Sequence, residues 1–182
     1  KILTYLETLR NDNFPIVKFY DDFIENNIQY LVFEYLDMNL YIYHKKNSFN
    51  LDINTILNIT SNICLGLKYI HTKYIHNDLK PENIMINSLT NQIKIIDLGS
   101  ALDKDKPKTY FYYQSRYYRS PEVIFELQFN EKIDIWSLGC IVCELIIGKP
   151  IFQGRNIKDL LFKICEKIDI PIEEKYLFSK CH

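Results

Sequence analysis

The sequence lacks several features that would define whole classes of protein. Its longest apolar run, from Ile133 to Ile147, contains Asp134 and Glu144, so no segment is expected to span a membrane. Lys and Arg number 22 against 23 Asp and Glu, and a net charge of -1 predicts no polyanion-binding surface. We therefore expect neither a membrane nor a nucleic-acid partner, and the oligomeric state stays open. With 47% hydrophobic residues in 182, the chain can form one sizeable core.

The five cysteines follow no disulfide framework. They stand at positions 64, 140, 143, 165 and 181, an odd number without regular spacing. This pattern favours free thiols in a reducing, intracellular compartment, with cytoplasm and nucleus both open. Cys140 and Cys143 form a C-x-x-C that could suggest a metal or redox site. They lie in a helical apolar run with no second Cys or His pair nearby, so we interpret them as structural.

Hydrophobic periodicity predicts an α+β fold. Apolar residues at helical spacing predict helices over residues 1–10, 51–71, 133–147 and 156–168. Runs rich in β-branched and aromatic residues predict strands over 16–23, 28–35, 84–86 and 93–96. Asn130 is the predicted N-cap of the third helix, and Gly148 ends it. Residues 98–120 show no period and many tyrosines, which indicates a long functional loop.

Two short strings carry side chains suited to phosphoryl transfer. His76 to Asn83 reads His-Asn-Asp-Leu-Lys-Pro-Glu-Asn, and Asp97-Leu98-Gly99 follows after a short strand pair. We expect Asp78 to accept the proton of an attacking hydroxyl and Lys80 to offset phosphoryl charge. Asn83 and Asp97 supply hard oxygen ligands for Mg²⁺. Each string alone could be a surface segment or a turn, but their combination between a long helix and two strands favours catalysis.

The order and spacing of these strings resemble the catalytic and magnesium-binding loops of protein kinases. The resemblance implies a kinase-like α+β fold. Residues 1–36 would form a partial N-lobe with two strands, the end of a helix and the hinge. Residues 37–182 would form the C-lobe, truncated after the helix at 156–168. It also implies ATP and Mg²⁺ as cofactors and protein hydroxyls as substrates, with Ser120-Pro121-Glu122 closing the activation segment and Asp134 bonding the catalytic-loop backbone.

The same resemblance assigns an ATP site. Residues 34–36, Glu-Tyr-Leu, would form the hinge that binds adenine through its backbone. Phe33 would guard a back pocket, and a spine of His76 and Leu98 would continue through Leu3 and Phe19. The ATP-binding residues implied are Glu34, Leu36, Asn39 at the ribose edge, and Met85 and Ile96 on the floor.

Within protein kinases, the chain resembles the dual-specificity tyrosine-regulated and homeodomain-interacting branch of the CMGC group. The resemblance rests on residues 38–41 (Met-Asn-Leu-Tyr), on residues 112–122 (Tyr-Tyr-Gln-Ser-Arg-Tyr-Tyr-Arg-Ser-Pro-Glu) and on Asn77 before the catalytic aspartate. Many kinases have Arg there to hold an activation-loop phosphate, which Asn77 cannot do. Our hypothesis is that Tyr112, two residues before Gln114, is autophosphorylated. Because Asn77 cannot bind its phosphate, we expect the phosphate to pair with Arg116 and Arg119, the nearest cations in sequence. Ordinary loop tyrosines are the alternative.

The sequence also departs from the kinase pattern. Leu98 replaces the usual Phe of Asp-Phe-Gly, and no Gly-rich phosphate loop or Val-Ala-Ile-Lys type lysine occurs in the 182 residues. The first hypothesis is an excerpt of a serine/threonine or dual-specificity kinase, and the second is a pseudokinase-like binding or scaffold module. A small-molecule phosphotransferase is a third, against which the tyrosine-rich loop argues. We expect the 182-residue chain by itself to transfer phosphate poorly, because it lacks the clamp over the phosphates.

Overall fold

The computed structural model describes residue 5 and residues 14–106 and 113–169. The predicted helix at 1–10 therefore lies outside the described residues except for Tyr5, as do Leu3, Tyr112 and Cys181. Within the described ranges, no helix has both the length and the apolarity needed to span a membrane.

An antiparallel hairpin comes first, formed by β1 (Phe19–Glu25) and β2 (Ile28–Phe33). Asn26 and Asn27 connect the strands with φ angles of 51° and 61°. A two-residue turn with positive φ at both positions matches the right-handed twist of its strands, and Asn tolerates that conformation. Both strands were predicted, but β1 begins three residues later than expected, because Ile16 forms a parallel bridge with Ile95 instead.

Two further small sheets follow the hairpin. One has the order β3-β5-β6, formed by Met38–Asn39, Ile84–Ile86 and Ile93–Ile95. The other pairs β4 (Tyr74–Ile75) with β7 (Leu102–Asp103). The predicted strands at 84–86 and 93–96 are thus confirmed, with the second ending one residue early. The two-residue strands were not predicted, because two residues carry no readable alternation.

Five α-helices lie within the described residues 14–106 and 113–169. They are α1 (Leu40–Lys46), α2 (Ile53–Ile70), α3 (Pro121–Ile124), α4 (Lys132–Ile147) and α5 (Ile157–Lys167). The three long predicted helices are confirmed. The predicted N-cap Asn130 is wrong by one residue: the cap position is Glu131, while the Asn130 side chain accepts the Lys132 N–H. Gly148 ends α4 with a φ of 79°.

The main core lies where α2 packs on α4 and on the β3-β5-β6 sheet. Apolar residues of α2 at helical spacing are fully buried there, among them Ile59, Ile63 and Ile70. Gly66 permits the close approach of α2 to the sheet: a Cβ at this position would lie 2.8 Å from the Pro15 carbonyl oxygen and 2.8 Å from the Ile95 side chain. The packed helix thus supports the sheet whose strand β5 directly follows the catalytic string (residues 76–83).

Cys140 and Cys143 lie on α4 and differ in exposure. Cys140 is buried, and Cys143 is half-buried. Burial raises the pKa of the Cys140 thiol to about 12, which keeps it protonated and therefore a weak nucleophile and ligand. Among the described residues, no group of three or more His, Cys, Asp or Glu could hold a metal ion.

A buried histidine makes the stability of this fold depend on pH. His44 of α1 is 2% exposed, and its Nε2 has no hydrogen-bond partner within the described ranges. Burial lowers the pKa of His44 below its ordinary value of 6.5. The unfolded chain therefore binds the proton more readily, and the free energy of unfolding falls as the pH drops below about 6.5.

We expect His44→Leu to remove this dependence. The gain in the free energy of unfolding over wild type should be about 1 kcal/mol larger at pH 5.5 than at pH 7.5. Urea unfolding of both proteins at the two pH values measures the difference. An equal gain at both values would mean that the pKa of His44 is the same in the folded and unfolded states.

Candidate active site

Asp134 holds the backbone of the catalytic string. It is fully buried near the start of α4, and its two carboxylate oxygens accept the N–H groups of His76 at 2.8 Å and Asn77 at 2.9 Å. The His71 ring lies 2.8 Å from the same carboxylate. The predicted bond from Asp134 to the catalytic-loop backbone is therefore confirmed. These bonds attach the catalytic string to the start of α4.

The candidate base Asp78 belongs to a compact polar network. Its Oδ2 accepts a hydrogen bond from Lys80 Nζ at 2.8 Å, and its Oδ1 accepts one from Ser115 Oγ at 2.7 Å. Lys80 Nζ also lies 3.2 Å from Ser115 Oγ. The structure thus brings the two predicted catalytic residues together and adds a hydroxyl from the activation segment.

Ser115 was missed as a site residue in the sequence analysis. It lies 37 residues after Asp78, so no local spacing connects the two. Its position inside the stretch that ends at Ser120-Pro121-Glu122 was the one available signal. Its hydroxyl lies within hydrogen-bond distance of both Asp78 and Lys80 and holds the two side chains in one geometry.

Asn83 is oriented by Asp78. Its amide nitrogen donates to the Asp78 carbonyl at 2.8 Å and to Oδ2 at 3.2 Å, and the residue is buried at the end of a short 3₁₀ turn, Pro81–Asn83. The nitrogen is therefore engaged, and the amide oxygen is the atom suited to a cation.

Asp97 stands in a left-handed conformation with a φ of 59°, before a second 3₁₀ turn, Leu98–Ser100. Its Oδ1 accepts the Gly99 N–H at 3.1 Å. One carboxylate and one amide oxygen form a small set of hard donors. Such a set fits Mg²⁺, which keeps several waters and shares its shell with phosphates instead of sitting in an all-protein cage.

A cavity of about 580 Å³ opens beside Asp97. Its size falls within the roughly 300–1,000 Å³ of small-molecule pockets, and its walls are mainly apolar. The lining residues are Val17, Leu31, Phe33, Glu34, Tyr35, Leu36, Met85, Ile96, Asp97, Leu98 and Gly99. Four of the five residues predicted to bind ATP are therefore found around one cavity, together with the predicted back-pocket residue Phe33.

Asn39, the fifth predicted ATP-binding residue, does not line this cavity. Its side-chain oxygen accepts the Ile42 N–H at 2.9 Å and caps α1. The structure therefore shows a capping role for Asn39, and the ribose contact stays a prediction.

A buried ion pair anchors the predicted hinge. Lys94 on β6 is 2% exposed, and its Nζ lies 2.6 Å and 2.9 Å from the two carboxylate oxygens of Glu34. Glu34 also accepts the Lys18 backbone N–H at 2.6 Å. Sequence analysis missed Lys94, because a lysine between isoleucines in a short strand reads as solvent-facing. The pair links the cavity wall to the strand that leads into Asp97.

Gln114 organises the activation segment on α4. Its side-chain amide donates to the Ile133 carbonyl at 3.0 Å and to Ser137 Oγ at 2.8 Å, and its Oε1 accepts the Ser120 N–H at 2.9 Å. Nearby, Tyr118 donates a hydrogen bond of 2.7 Å to Glu144. Burial raises the pKa of both Tyr118 and Glu144, so the phenol stays protonated as the donor.

The two predicted phosphate-pairing arginines differ in exposure. Arg116 is exposed, and its guanidinium donates to the Arg155 carbonyl at 2.8 Å. Arg119 is buried and donates to the Gln114 carbonyl at 2.7 Å. Tyr112 lies outside the described residues, so the pairing stays a prediction.

Comparison with known proteins identifies the class to which this site belongs. The family model for the protein kinase domain matches residues 3–180. The chain belongs to the protein kinase family.

Similar proteins place the chain in one branch of that family. The chain is 41% identical over 175 residues to homeodomain-interacting protein kinase 1 of Caenorhabditis elegans, which covers 93% of this chain. It is 45% identical over 159 residues to the dual specificity protein kinase YAK1 homolog of Arabidopsis thaliana, covering 85%. It is 40% identical over 178 residues to the serine/threonine-protein kinase ppk15 of Schizosaccharomyces pombe, covering 93%. The predicted branch of the CMGC group is confirmed.

These relatives are much longer than the chain. It spans 21% of the nematode protein, 16% of the plant protein and 33% of the yeast protein. The similarity therefore concerns only part of each relative.

Proposed function

We propose that this chain is the catalytic portion of a serine/threonine or dual-specificity protein kinase, which transfers the γ-phosphoryl group of ATP to hydroxyls of protein substrates. The network of Asp78, Lys80, Asn83 and Ser115, next to a cavity bordered by Asp97, carries the proposal. Residues 1–36 would contribute part of the N-lobe and the hinge, and residues 37–182 would contribute the C-lobe.

The chemistry follows from the placement of the polar groups. A substrate hydroxyl oxygen forms a bond to the γ-phosphorus, the bond from that phosphorus to the β–γ bridging oxygen breaks, and the hydroxyl proton passes to the Asp78 carboxylate. Lys80 stabilises negative charge on the transferring group, and Ser115 holds Asp78 in place. Asn83 and Asp97 would hold Mg²⁺, which when bound neutralises charge on the phosphates.

The alternative of a non-catalytic, pseudokinase-like module is less well supported. A site that no longer catalyses a reaction would be expected to lose some of its catalytic residues. The four predicted ones are all present: Asp78, Lys80, Asn83 and Asp97. The relatives are themselves named as kinases. We further propose that the 182-residue chain alone transfers phosphate poorly. The four described cysteines, which are free thiols, support an intracellular location.

The decisive test is a phosphate-transfer assay of the natural full-length protein with radiolabelled ATP and a serine-containing peptide. We expect transfer that depends on Mg²⁺ and falls at least about 100-fold in Asp97→Asn, because that variant loses the charged metal ligand. No transfer by the full-length protein, or equal transfer by Asp97→Asn, would contradict the proposal.

We also propose that Tyr112 is autophosphorylated and that Arg116 and Arg119 receive its phosphate. Exposed Arg116 can reach a phosphate without disrupting the core, whereas buried Arg119 would have to exchange its bond to Gln114. Mass spectrometry of active protein is expected to find phosphate on Tyr112. Tyr112→Phe should lower activity, and full activity in that variant would count against a regulatory role.

A further inference from the structure

The two loops that carry the base and the metal ligand each contain a residue in the left-handed conformation. Asn77, next to Asp78, has a φ of 67°, and Asp97 has a φ of 59°. Non-glycine residues pay a steric cost there and persist only where their surroundings hold them. The hydrogen bonds between these two loops therefore decide whether Asp97, the proposed metal ligand, is positioned before the nucleotide binds.

Side chains of the catalytic string form hydrogen bonds to the loop that carries Asp97, on both sides of that residue. The His76 Nδ1 lies 3.2 Å from the Asp78 N–H and accepts from it, so the proton resides on Nε2. That Nε2 lies 2.9 Å from the carbonyl of Ile96, the residue before Asp97. The Asn77 Nδ2 donates at 3.0 Å to the carbonyl of Ser100, the residue after Gly99.

Asn77 combines two properties that this position uses. Asn is among the few residues that readily adopt a left-handed backbone, so the turn before Asp78 forms at low cost. The residue is 4% exposed, and in the part of the chain that the structure describes its amide oxygen has no partner. The hydrogen bond to Ser100 is therefore the polar contact that the Asn77 side chain contributes. Its own backbone N–H is held by Asp134 at 2.9 Å, which gives the tether a rigid origin.

We propose that Asn77 is a positioning residue that locks the Asp97 loop to the catalytic string. The Asn77 side chain cannot bind a phosphate as the arginine of many kinases does at this position. It acts instead as a direct tether between the loop that carries Asp78 and the loop that carries Asp97. This inference deepens the proposed function and rests on it, because the loop matters through the metal that Asp97 would bind.

Two variants separate the tether from the backbone effect. Asn77→Gly and Asn77→Ala both remove the donor to Ser100, but only Ala also pays the cost of positive φ. Asn91→Ala is the matched control: Asn91 has a φ of 55° in an exposed turn away from the site, so it pays the same backbone cost without touching the loop. Thermal unfolding verifies that each variant is folded.

Three measurements on the natural full-length protein test the role. We expect amide hydrogen exchange at Gly99 and Ala101 to accelerate roughly 3- to 10-fold in both Asn77 variants and to stay unchanged in Asn91→Ala. The affinity for Mn²⁺ in the presence of ADP, followed by electron paramagnetic resonance, should weaken by a similar factor. In kinetics, the Mg²⁺ concentration for half-maximal rate should rise, with the KM for the peptide unchanged.

Each outcome decides the inference. Unchanged exchange in Asn77→Gly, or acceleration in Asn77→Ala alone, would show that the side chain is not a tether. Faster exchange with unchanged Mn²⁺ affinity would show a tether without a positioning role. If the parent protein binds no Mn²⁺ with ADP, the proposed function fails and the metal-positioning role fails with it, while the exchange rates still decide the tether.

Discussion

Replacing Asp78 with Asn is expected to lower kcat by about 10²- to 10⁴-fold, the usual contribution of a general base. The amide has the same shape and can still accept the hydrogen bond from Ser115, but it cannot accept the substrate proton. Because Asp78 does not line the cavity, the KM for ATP should change little. Steady-state kinetics of the natural full-length protein, which resolve kcat from KM, are the measurement.

An exposed aspartate elsewhere in the chain provides the control for this substitution. Asp105→Asn removes a charge outside the Asp78 network, and its kcat should match that of wild type. If Asp78→Asn retained kcat within tenfold of wild type, Asp78 would not be the base. Thermal unfolding of both variants excludes loss of structure as the cause.

Asp134→Ala is expected to lower the free energy of unfolding by about 3–5 kcal/mol. The substitution leaves the buried N–H groups of His76 and Asn77 without acceptors, at roughly 1–3 kcal/mol each, and also removes the contact to His71. A loss of this size is a large share of the roughly 5–15 kcal/mol that holds an ordinary domain together. Urea unfolding measures it.

The neighbouring residue on α4 provides a matched comparison. Ile135 is 45% exposed, so Ile135→Ala should change the free energy of unfolding by less than about 1 kcal/mol. Asp134→Asn should fall between the two, since its amide oxygen can replace one of the two carboxylate acceptors. A loss below about 1 kcal/mol in Asp134→Ala would show that the catalytic string is held by other contacts.

Helix and strand positions followed from the sequence in segments that are long enough to show a hydrophobic period. The helix α2 covers 18 residues with buried isoleucine and leucine at helical spacing, and α4 covers 16. The short α1 was missed, and β4 and β7 were missed because two residues show no alternation. The start of β1 was misplaced because Ile16 pairs across the chain with Ile95, a contact that no local pattern contains.

For the site, too, the sequence predicted what is close along the chain and missed contacts between distant residues. Asp78, Lys80 and Asn83 lie within one short stretch of the chain, so their spacing alone predicted that their side chains lie close together. Ser115 and Lys94 were missed because their partners, Asp78 and Glu34, lie 37 and 60 residues away. The capping role of Asn39 at α1 was also missed, while its predicted contact to the ribose stays a prediction.

The sequence by itself determined which residue types stand together at 76–83 and 97–99, because type and spacing are read from it directly. These residues predict a base, a phosphate-facing lysine and two metal ligands. Tertiary structure alone decided how those groups are held. Asp134 fixes the backbone from 57 and 58 residues away, and Asn77 reaches Ser100 across 23. Hydrogen bonds of that kind depend on where helices and strands pack, which local sequence patterns do not encode.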